Sequence, residues 1–199
     1  MINIERSEKE KIDLFHFLMD GMSKFSEKNY KEAIDDYTKA LGIDPDAAIA
    51  YLYRGKCRTG LEQYEEAIED FTKVIEIDPT DGRPYLSRGR LTLRKGNYEF
   101  AIKDFTKVIE MHPDDAVDAY YRRGLAKMDL KQYQDAEEDL TKIKELEQYQ
   151  NAVDDLSKLL ETYPNDVNCL SLRASAKRKL GDNEGADEDD KKAEKLKSM

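Results

Sequence analysis

AIEDFTKVIEIDP, residues 67–79, is a stretch that the chain repeats with few changes. AIDDYTKALGIDP occupies residues 33–45 and AIKDFTKVIEMHP occupies residues 101–113, so the closing prolines are 34 residues apart. A fixed period of this length is typical of a solenoid built from stacked structural units. The repeat therefore predicts the fold class, and it favours a binding surface over a catalytic pocket.

Each period is predicted to hold two amphipathic helices. A glycine lies 12 residues before the alanine that opens each stretch, and the pairs are Gly21 and Ala33, Gly55 and Ala67, and Gly89 and Ala101. Small residues at this spacing let two helices approach closely, and the aromatic residue four positions after each alanine lies on the same helical face. The proline ends the second helix because it lacks an N–H and disfavours the α conformation in the residue before it.

This pattern resembles the tetratricopeptide repeat family. The matching small, aromatic and proline positions of the second unit are Tyr51, Gly55, Tyr64, Ala67, Phe71 and Pro79. The resemblance implies an all-α fold, a right-handed superhelical solenoid of helix-turn-helix repeats whose concave groove is lined mainly by the first helix of each pair. We expect one solenoid domain over residues 1–199, with units at about 14–47, 48–81, 82–116 and 117–147, an irregular half-unit at 148–166 and a terminal capping unit at 167–199.

The period changes twice in the second half of the chain. The fourth unit starts with one extra residue in its entry turn, after Pro113, so that its glycine is Gly124. QYQDAEEDLTKI then begins at Gln132 and QYQNAVDDLSKLL begins at Gln148, and both have the pattern of a second helix. The 16 residues between their starts leave no room for a first helix, and residues 132–162 contain neither glycine nor proline. We predict one long helix, or two joined by a slight kink, with a length of roughly 45 Å.

Arginine and aspartate recur at fixed places in the units. Arg54, Arg88 and Arg123 each precede a glycine, and Arg173 takes the same place before Ala174. One position of the second helices holds Asp36, Asp70, Asp104, Asp139, Asp155 and Asp189. We predict an Arg–Asp ladder that links helices within or between units, and we favour this structural role over ligand binding.

Composition narrows the function. The chain has a net charge of −10 and a pI near 4.9, which disfavours binding to nucleic acid by charge alone. No segment is apolar for long enough to span a membrane, and the N-terminus lacks the apolar run of a signal peptide. Cys57 and Cys169 form no recognisable pattern, so we expect reduced thiols in a cytoplasmic protein, with Cys57 buried.

No group of residues suggests catalysis. The two histidines, His16 and His112, have no partners at ligand spacing, and there is no glycine-rich phosphate loop or nucleophile motif. We therefore expect no enzymatic activity, no metal site and no cofactor.

The resemblance also places a binding groove. The family's concave positions fall three and two residues before the first-helix glycine, and one, four and five residues after it. The predicted groove residues are Leu18, Met22, Leu52, Tyr53, Lys56, Leu86, Arg90, Arg94, Tyr121, Arg122 and Leu125. They run from apolar at the N-terminal end to basic in the middle, which suggests a protein or peptide partner with acidic residues next to apolar ones.

Some tetratricopeptide co-chaperones hold a chaperone's C-terminal carboxylate with a clamp of Lys, Asn, Asn, Lys and Arg. The corresponding positions here hold Leu18, Met22, Tyr53, Arg83 and Ser87, and a shift by one unit gives Leu52, Lys56, Ser87, Asp118 and Arg122. Neither register matches, so we predict that this chain does not bind in that way, although a co-chaperone-like role by another mode stays open.

The sequence thus favours a non-enzymatic adaptor or scaffold that binds a partner segment in its groove. The alternative is a self-assembling structural protein that oligomerises through residues 132–163, where the missing first helix would leave an apolar face uncovered.

Overall fold

The computed structural model describes residues 6–112, 116–162 and 164–198. These residues form ten helices and no strand. The helices are α1 (Glu8–Ser26), α2 (Tyr30–Ile43), α3 (Ala48–Gly60), α4 (Tyr64–Ile77), α5 (Gly82–Arg94), α6 (Tyr98–Met111), α7 (Val117–Asp129), α8 (Tyr133–Thr162), α9 (Val167–Lys179) and α10 (Asn183–Lys197). Pro113 and the extra residue predicted after it lie outside the described residues.

Contacts divide the chain into two compact units, Met1–Asp104 and Phe105–Met199, with the boundary inside α6. In the first, which we call the N-terminal unit, α1 packs on α2, α2 on α3, α3 on α4 and α4 on α5. In the second, the C-terminal unit, α7 packs on α8, α8 on α9 and α9 on α10. Helices that are consecutive in sequence are neighbours in space within each unit, which confirms the prediction of an all-α solenoid.

The turn inside each helix pair has a recurring left-handed residue. Lys28, Glu62, Gly96, Lys131 and Gly181 occupy this place, with φ between 60° and 83°. The amide of the next residue donates to a carbonyl oxygen in the last turn of the first helix, as from Gln63 to Arg58 at 2.9 Å. This is the geometry of a Schellman cap, which satisfies carbonyl groups at the helix end. The left-handed conformation costs a non-glycine residue about 1 kcal/mol, so three of these turns are held against a local preference by the packing of the helices.

Close approach of the two helices in a pair depends on the predicted small residues. Ala33 and Ala67 are fully buried, and Tyr37 and Phe71, one turn later, are among the largest fully buried side chains. A Cβ atom built on Gly55 would lie 2.9 Å from the ring of Phe71. The aromatic ring therefore occupies the space that any larger residue at position 55 would need.

The Arg–Asp ladder is present, and it ties three helices together. In α5, Arg88 Nε and Nη2 donate to Asp104 Oδ2 and Oδ1 of α6 at 2.9 and 2.8 Å, while Nη1 donates to Thr72 Oγ1 of α4 at 2.9 Å. We call such a set of arginine, aspartate and hydroxyl a rung. The same rung is formed by Arg54, Asp70 and Thr38, by Arg123, Asp139 and Thr106, and by Arg173, Asp189 and Ser157.

Two aspartates of the predicted ladder differ from this pattern. Asp36 pairs with Lys24 and Lys39, since Asp20 and not an arginine precedes Gly21. The inclusion of Asp155 was wrong: its side chain is 77% exposed, and among the described residues it meets only Lys158 of its own helix, at 3.4 Å. No first helix lies over it to supply an arginine.

The region of broken period is one continuous helix, which confirms the sequence prediction. α8 has 30 residues and packs on α7 and on α9. Its first part supplies Asp139 to the rung of Arg123, and its second part supplies Ser157 to the rung of Arg173. One helix therefore serves as the second helix of two successive units.

We expect Gly55→Ala to destabilise the protein and Gly124→Ala to leave it as stable or slightly more so. The new methyl group at position 55 would meet the buried ring of Phe71 at 2.9 Å, whereas at position 124 its nearest neighbour is Asp139 Cβ at 3.6 Å. At position 55 the cost of overpacking exceeds the gain in helix propensity, so we expect a net loss of about 1–2 kcal/mol in the free energy of unfolding. At position 124 only the gain in helix propensity applies, and it amounts to at most ~1 kcal/mol. Urea unfolding followed by circular dichroism measures both changes; equal effects of the two variants would contradict the packing argument.

We expect Arg88→Met to destabilise the protein by about 3–5 kcal/mol, because it leaves the buried carboxylate of Asp104 without a cation. Arg88→Met combined with Asp104→Leu should recover most of that loss, because neither charge then remains buried. The two variants are compared with the wild type in the same unfolding experiment. If the double variant is no more stable than the single one, the rung is not the source of the loss.

Candidate protein-binding groove

The first helix presents an apolar stripe to solvent. Ile12, Phe15, Met19 and Met22 are 53, 60, 49 and 38% exposed and recur at three- and four-residue spacing, so they lie on one face of α1. We call these four residues the α1 stripe. Contiguous exposed apolar side chains are common at binding surfaces. The sequence interpretation included Met22 but missed Ile12 and Phe15. The groove positions were counted from Gly21 and begin at Leu18, so both residues lie before the first of them.

Two of the predicted apolar groove residues, Leu52 and Leu18, pack against the core rather than lying fully at the surface. Leu52 is only 1% exposed and belongs to a core cluster with Ala67, Phe71, Val74 and Leu91. It cannot contact a ligand without unpacking α3 from α4, so we correct its assignment from the groove to the core. Leu18 is partly buried and packs against the core cluster of the first pair, which leaves part of its side chain at the surface.

A small cavity brings predicted basic residues together on neighbouring first helices. Its volume is about 220 Å³, and its lining residues are Lys56, Thr59, Phe71, Ser87, Arg90 and Leu91. We call it the Lys56 pocket. Phe71 and Leu91 provide an apolar floor, while Lys56 of α3 and Arg90 of α5 bring positive charge to its rim. An aliphatic side chain that ends in a carboxylate matches both features.

Lys56 is the least compensated charge of this pocket. It forms no salt bridge within the described residues, and its ammonium group lies 4.7 Å from the centroid of the Tyr53 ring. Partial burial, followed by repulsion from Arg83, lowers the pKa of Lys56 below its ordinary value. A carboxylate that arrived beside Lys56 would stabilise the charged form that its present surroundings disfavour.

Tyr53 connects the Lys56 pocket with α1. Its ring packs edge-on against Phe25, with the centroids 5.3 Å apart, and it lies under the ammonium group of Lys56. The surface therefore continues from the apolar first helix to the basic pocket without leaving the N-terminal unit.

The other predicted groove residues differ in how available they are. Leu86 is partly buried, Arg94 is exposed, and the Arg94 guanidinium lies 4.8 Å from the centroid of the Tyr64 ring. In the C-terminal unit, Tyr121 is exposed and Leu125 is partly buried. Arg122 Nε is paired with the Asp118 carboxylate, one turn earlier in α7, at 2.8 Å. Arg122 is therefore a weaker candidate for a partner's carboxylate than Lys56.

Three further observations concern the Cys57 thiol, metal ligands and membrane spans. Burial raises the pKa of Cys57 to about 11, so this side chain is a neutral thiol near pH 7, as expected for a packed residue. The described parts of the chain hold no group of three or more His, Cys, Asp and Glu residues that could hold a metal ion. They also contain no helix that is both long and apolar enough to cross a membrane.

Comparisons with known proteins agree with this architecture. Models of the tetratricopeptide repeat match residues 48–81 and 86–145, and a TPR repeat model matches residues 21–57. A search of curated proteins found no match.

Solved structures with the same fold have low sequence identity to the chain. MamA from Desulfovibrio magneticus RS-1 is 18% identical, with 96% of this chain and 97% of that one covered and a TM-score of 0.62. YrrB, described as a TPR protein with an unusual peptide-binding site, is 19% identical, with 95% and 88% covered and a TM-score of 0.63. The Arabidopsis OM64 TPR domain is 22% identical, with 58% and 94% covered and a TM-score of 0.54. Together with the family models, which cover most of the chain, these similarities lead to one conclusion: the chain belongs to the tetratricopeptide repeat family.

Proposed function

We propose that the chain is a non-enzymatic adaptor that binds a segment of a partner protein on the first helices of its N-terminal unit. Tetratricopeptide repeat proteins are generally interaction modules rather than enzymes. YrrB, which has the same fold, is described as having a peptide-binding site. The partner segment would carry acidic residues next to apolar ones.

The observation that carries this proposal is the position of Lys56 in its pocket. Its ammonium group is partly desolvated and forms no salt bridge within the described residues, and the apolar side chains of Phe71 and Leu91 lie beside it. A hydrogen bond to a charged group contributes about 1.5–3 kcal/mol to binding. An acidic side chain in the pocket would gain this interaction while its methylene groups contact the apolar floor.

The α1 stripe would supply apolar anchors for the same segment. Met19 and Met22 occupy the positions in the first unit that Tyr53 and Lys56 occupy in the second, so the four residues follow one register of the repeat. Methionine is unbranched and adapts its shape to irregular partners. The partner's apolar residues would therefore lie over α1 and its acidic residues over α3 and α5.

We expect peptides selected from a random display library by the wild-type protein to be rich in Asp or Glu beside Leu, Ile or Phe. They should bind Lys56→Glu at least about tenfold more weakly, because a loss of 1.4 kcal/mol corresponds to that factor. Fluorescence anisotropy of the labelled peptides measures the affinities.

Lys103→Glu is the matched control, since it makes the same change of charge at an exposed site on a second helix, α6. Its affinity should equal that of the wild type. Selected peptides without acidic residues, or equal weakening by both variants, would contradict the proposal.

Self-assembly through α8 is the second candidate, and the exposure of this helix favours it. Ala152 and Leu156 are only partly buried, whereas the equivalent Ala67 and Phe71 are in the core. Leu159 is exposed on the same side of α8. A second copy of the chain could cover these side chains in place of the missing first helix.

For this candidate we expect sedimentation velocity to show a dimer whose fraction rises with concentration. Leu159→Glu should return the protein to a monomer, because it places a charge in the apolar contact. Gln150→Glu, about two and a half helical turns away and so on the opposite side of α8, should not. A wild-type monomer at every concentration would exclude self-assembly.

A further inference from the structure

A second cation accompanies the aspartate in four of the five regular helix pairs. Lys24, Arg58, Lys127 and Lys177 each lie 12 residues before the aspartate that they contact. Arg58, Lys127 and Lys177 also donate to the backbone carbonyl oxygen eight residues further on, at 3.1–3.2 Å. In three of these pairs the aspartate therefore contacts the rung arginine and the second cation. In the first pair it contacts two lysines, Lys24 and Lys39.

The third pair lacks this cation. Thr92 occupies its place, and the Thr92 hydroxyl donates to the carbonyl oxygens of Arg88 and Gly89 within its own helix at 3.0 and 3.1 Å. Among the described residues, Asp104 is paired with Arg88 alone. Its Oδ2 atom accepts from Arg88 Nε, whereas Oδ2 of Asp139 accepts from Arg123 Nε and also lies 2.9 Å from the ammonium group of Lys127.

A cavity lies beside Thr92, the residue that takes the place of the missing cation. Its volume is about 430 Å³, and it is lined by Ile68, Thr92, Lys95, Asn97 and Phe100. We call it the Thr92 cavity. Phe100 is itself a departure from the other units, which have Glu32, Glu66, Asp135 and Gly185 at its position. The ring of Phe100 lies 4.9 Å under the Arg88 guanidinium and is partly exposed, so it gives the cavity an apolar wall.

We propose that the Thr92 cavity binds a lysine or arginine side chain of a partner protein. The methylene groups of that side chain would pack against Ile68 and Phe100, and its cationic group would donate to Asp104 and to the carbonyl oxygen of Phe100. The partner would thus supply from outside the cation that the other pairs supply from within. This site takes the opposite charge from the Lys56 pocket and does not depend on the proposed function.

The other pairs show that two cations fit around one such carboxylate. Arg54 and Arg58 both contact Asp70, and Arg173 and Lys177 both contact Asp189, at 2.6–2.9 Å. The charge of Arg88 is therefore no obstacle to a second cation. Lys95 also lines the cavity, but its ammonium group is paired with Glu65.

The pKa values of Asp104 and Asp189 are shifted in opposite directions. Burial raises the pKa of Asp104 above its ordinary value despite the hydrogen bonds from Arg88. At Asp189 burial acts in the same direction, but the hydrogen bonds from Arg173 and Lys177 outweigh it and the net pKa is lowered. Asp104 combines stronger desolvation with a single cation, and both raise its pKa relative to that of Asp189.

Three short peptides test the proposal: acetyl-Gly-Arg-Gly-amide, acetyl-Gly-Lys-Gly-amide and acetyl-Gly-citrulline-Gly-amide. Citrulline has the shape of arginine without its charge. Each is titrated into the ¹⁵N-labelled protein while amide chemical shifts are recorded. We expect the arginine or the lysine peptide to shift the amides around Thr92, Phe100 and Asp104 in a saturable manner, with the citrulline peptide at least about tenfold weaker.

Two lysine variants, one in the cavity and one outside it, decide whether the cavity is the site. Thr92→Lys places the missing cation in the chain itself and should abolish these shifts, and it should also raise the thermal stability of the protein. Gln134→Lys adds the same charge at an exposed position of α8, which does not line the cavity, and should leave binding unchanged. Scattered shifts that persist in Thr92→Lys would mean general attraction to an acidic protein and would overturn the proposal, as would equal binding of the citrulline peptide.

Discussion

The buried rung of arginine, aspartate and hydroxyl is the interaction on which the arrangement of helices depends. Arg88 joins its own helix to the second helix of its pair through Asp104 and to the second helix of the preceding pair through Thr72. A buried ion pair often adds little stability over apolar residues of the same size. Its geometry, however, demands one spacing and one register of three helices at once. The apolar contacts of alanine and phenylalanine are made in that same register.

The rung also accounts for the irregular second half of the chain. α8 lacks a first helix between its two parts, yet each part completes a rung, since Asp139 serves Arg123 and Ser157 serves Arg173. What the missing helix leaves behind is one carboxylate without an arginine, Asp155, and it lies in solvent, where it carries no penalty of burial. A unit can therefore lose a helix without leaving a buried charge unpaired.

Much of the fold could be predicted because a solenoid makes its contacts over short separations in sequence. The arginine and aspartate of each rung are 16 residues apart, so their columns are visible in the spacing alone. Exposure is harder to predict, because it depends on which neighbours cover a position. Leu52 and Leu86 share a column, yet Leu52 is in the core while Leu86 is partly exposed. Ile12 and Phe15 are exposed on α1, which no described helix pair precedes. The repeat pattern alone does not show which side chains lack a preceding pair to cover them.

The net charge of the chain says little about its candidate binding sites, because the arginines of the rungs are paired with aspartates inside the fold. Arg54, Arg88, Arg123 and Arg173 neutralise aspartates in the rungs, so the net charge of −10 describes mainly the remaining surface. Both candidate sites lie at positions where the units differ from one another. The second and third units have the cations Lys56 and Arg90 where the first unit has Met22 and the fourth has Leu125, and the third unit alone has Thr92 where the other units have lysine or arginine. In a repeat protein the shared residues build the frame, and selectivity for a partner has to come from such exceptions.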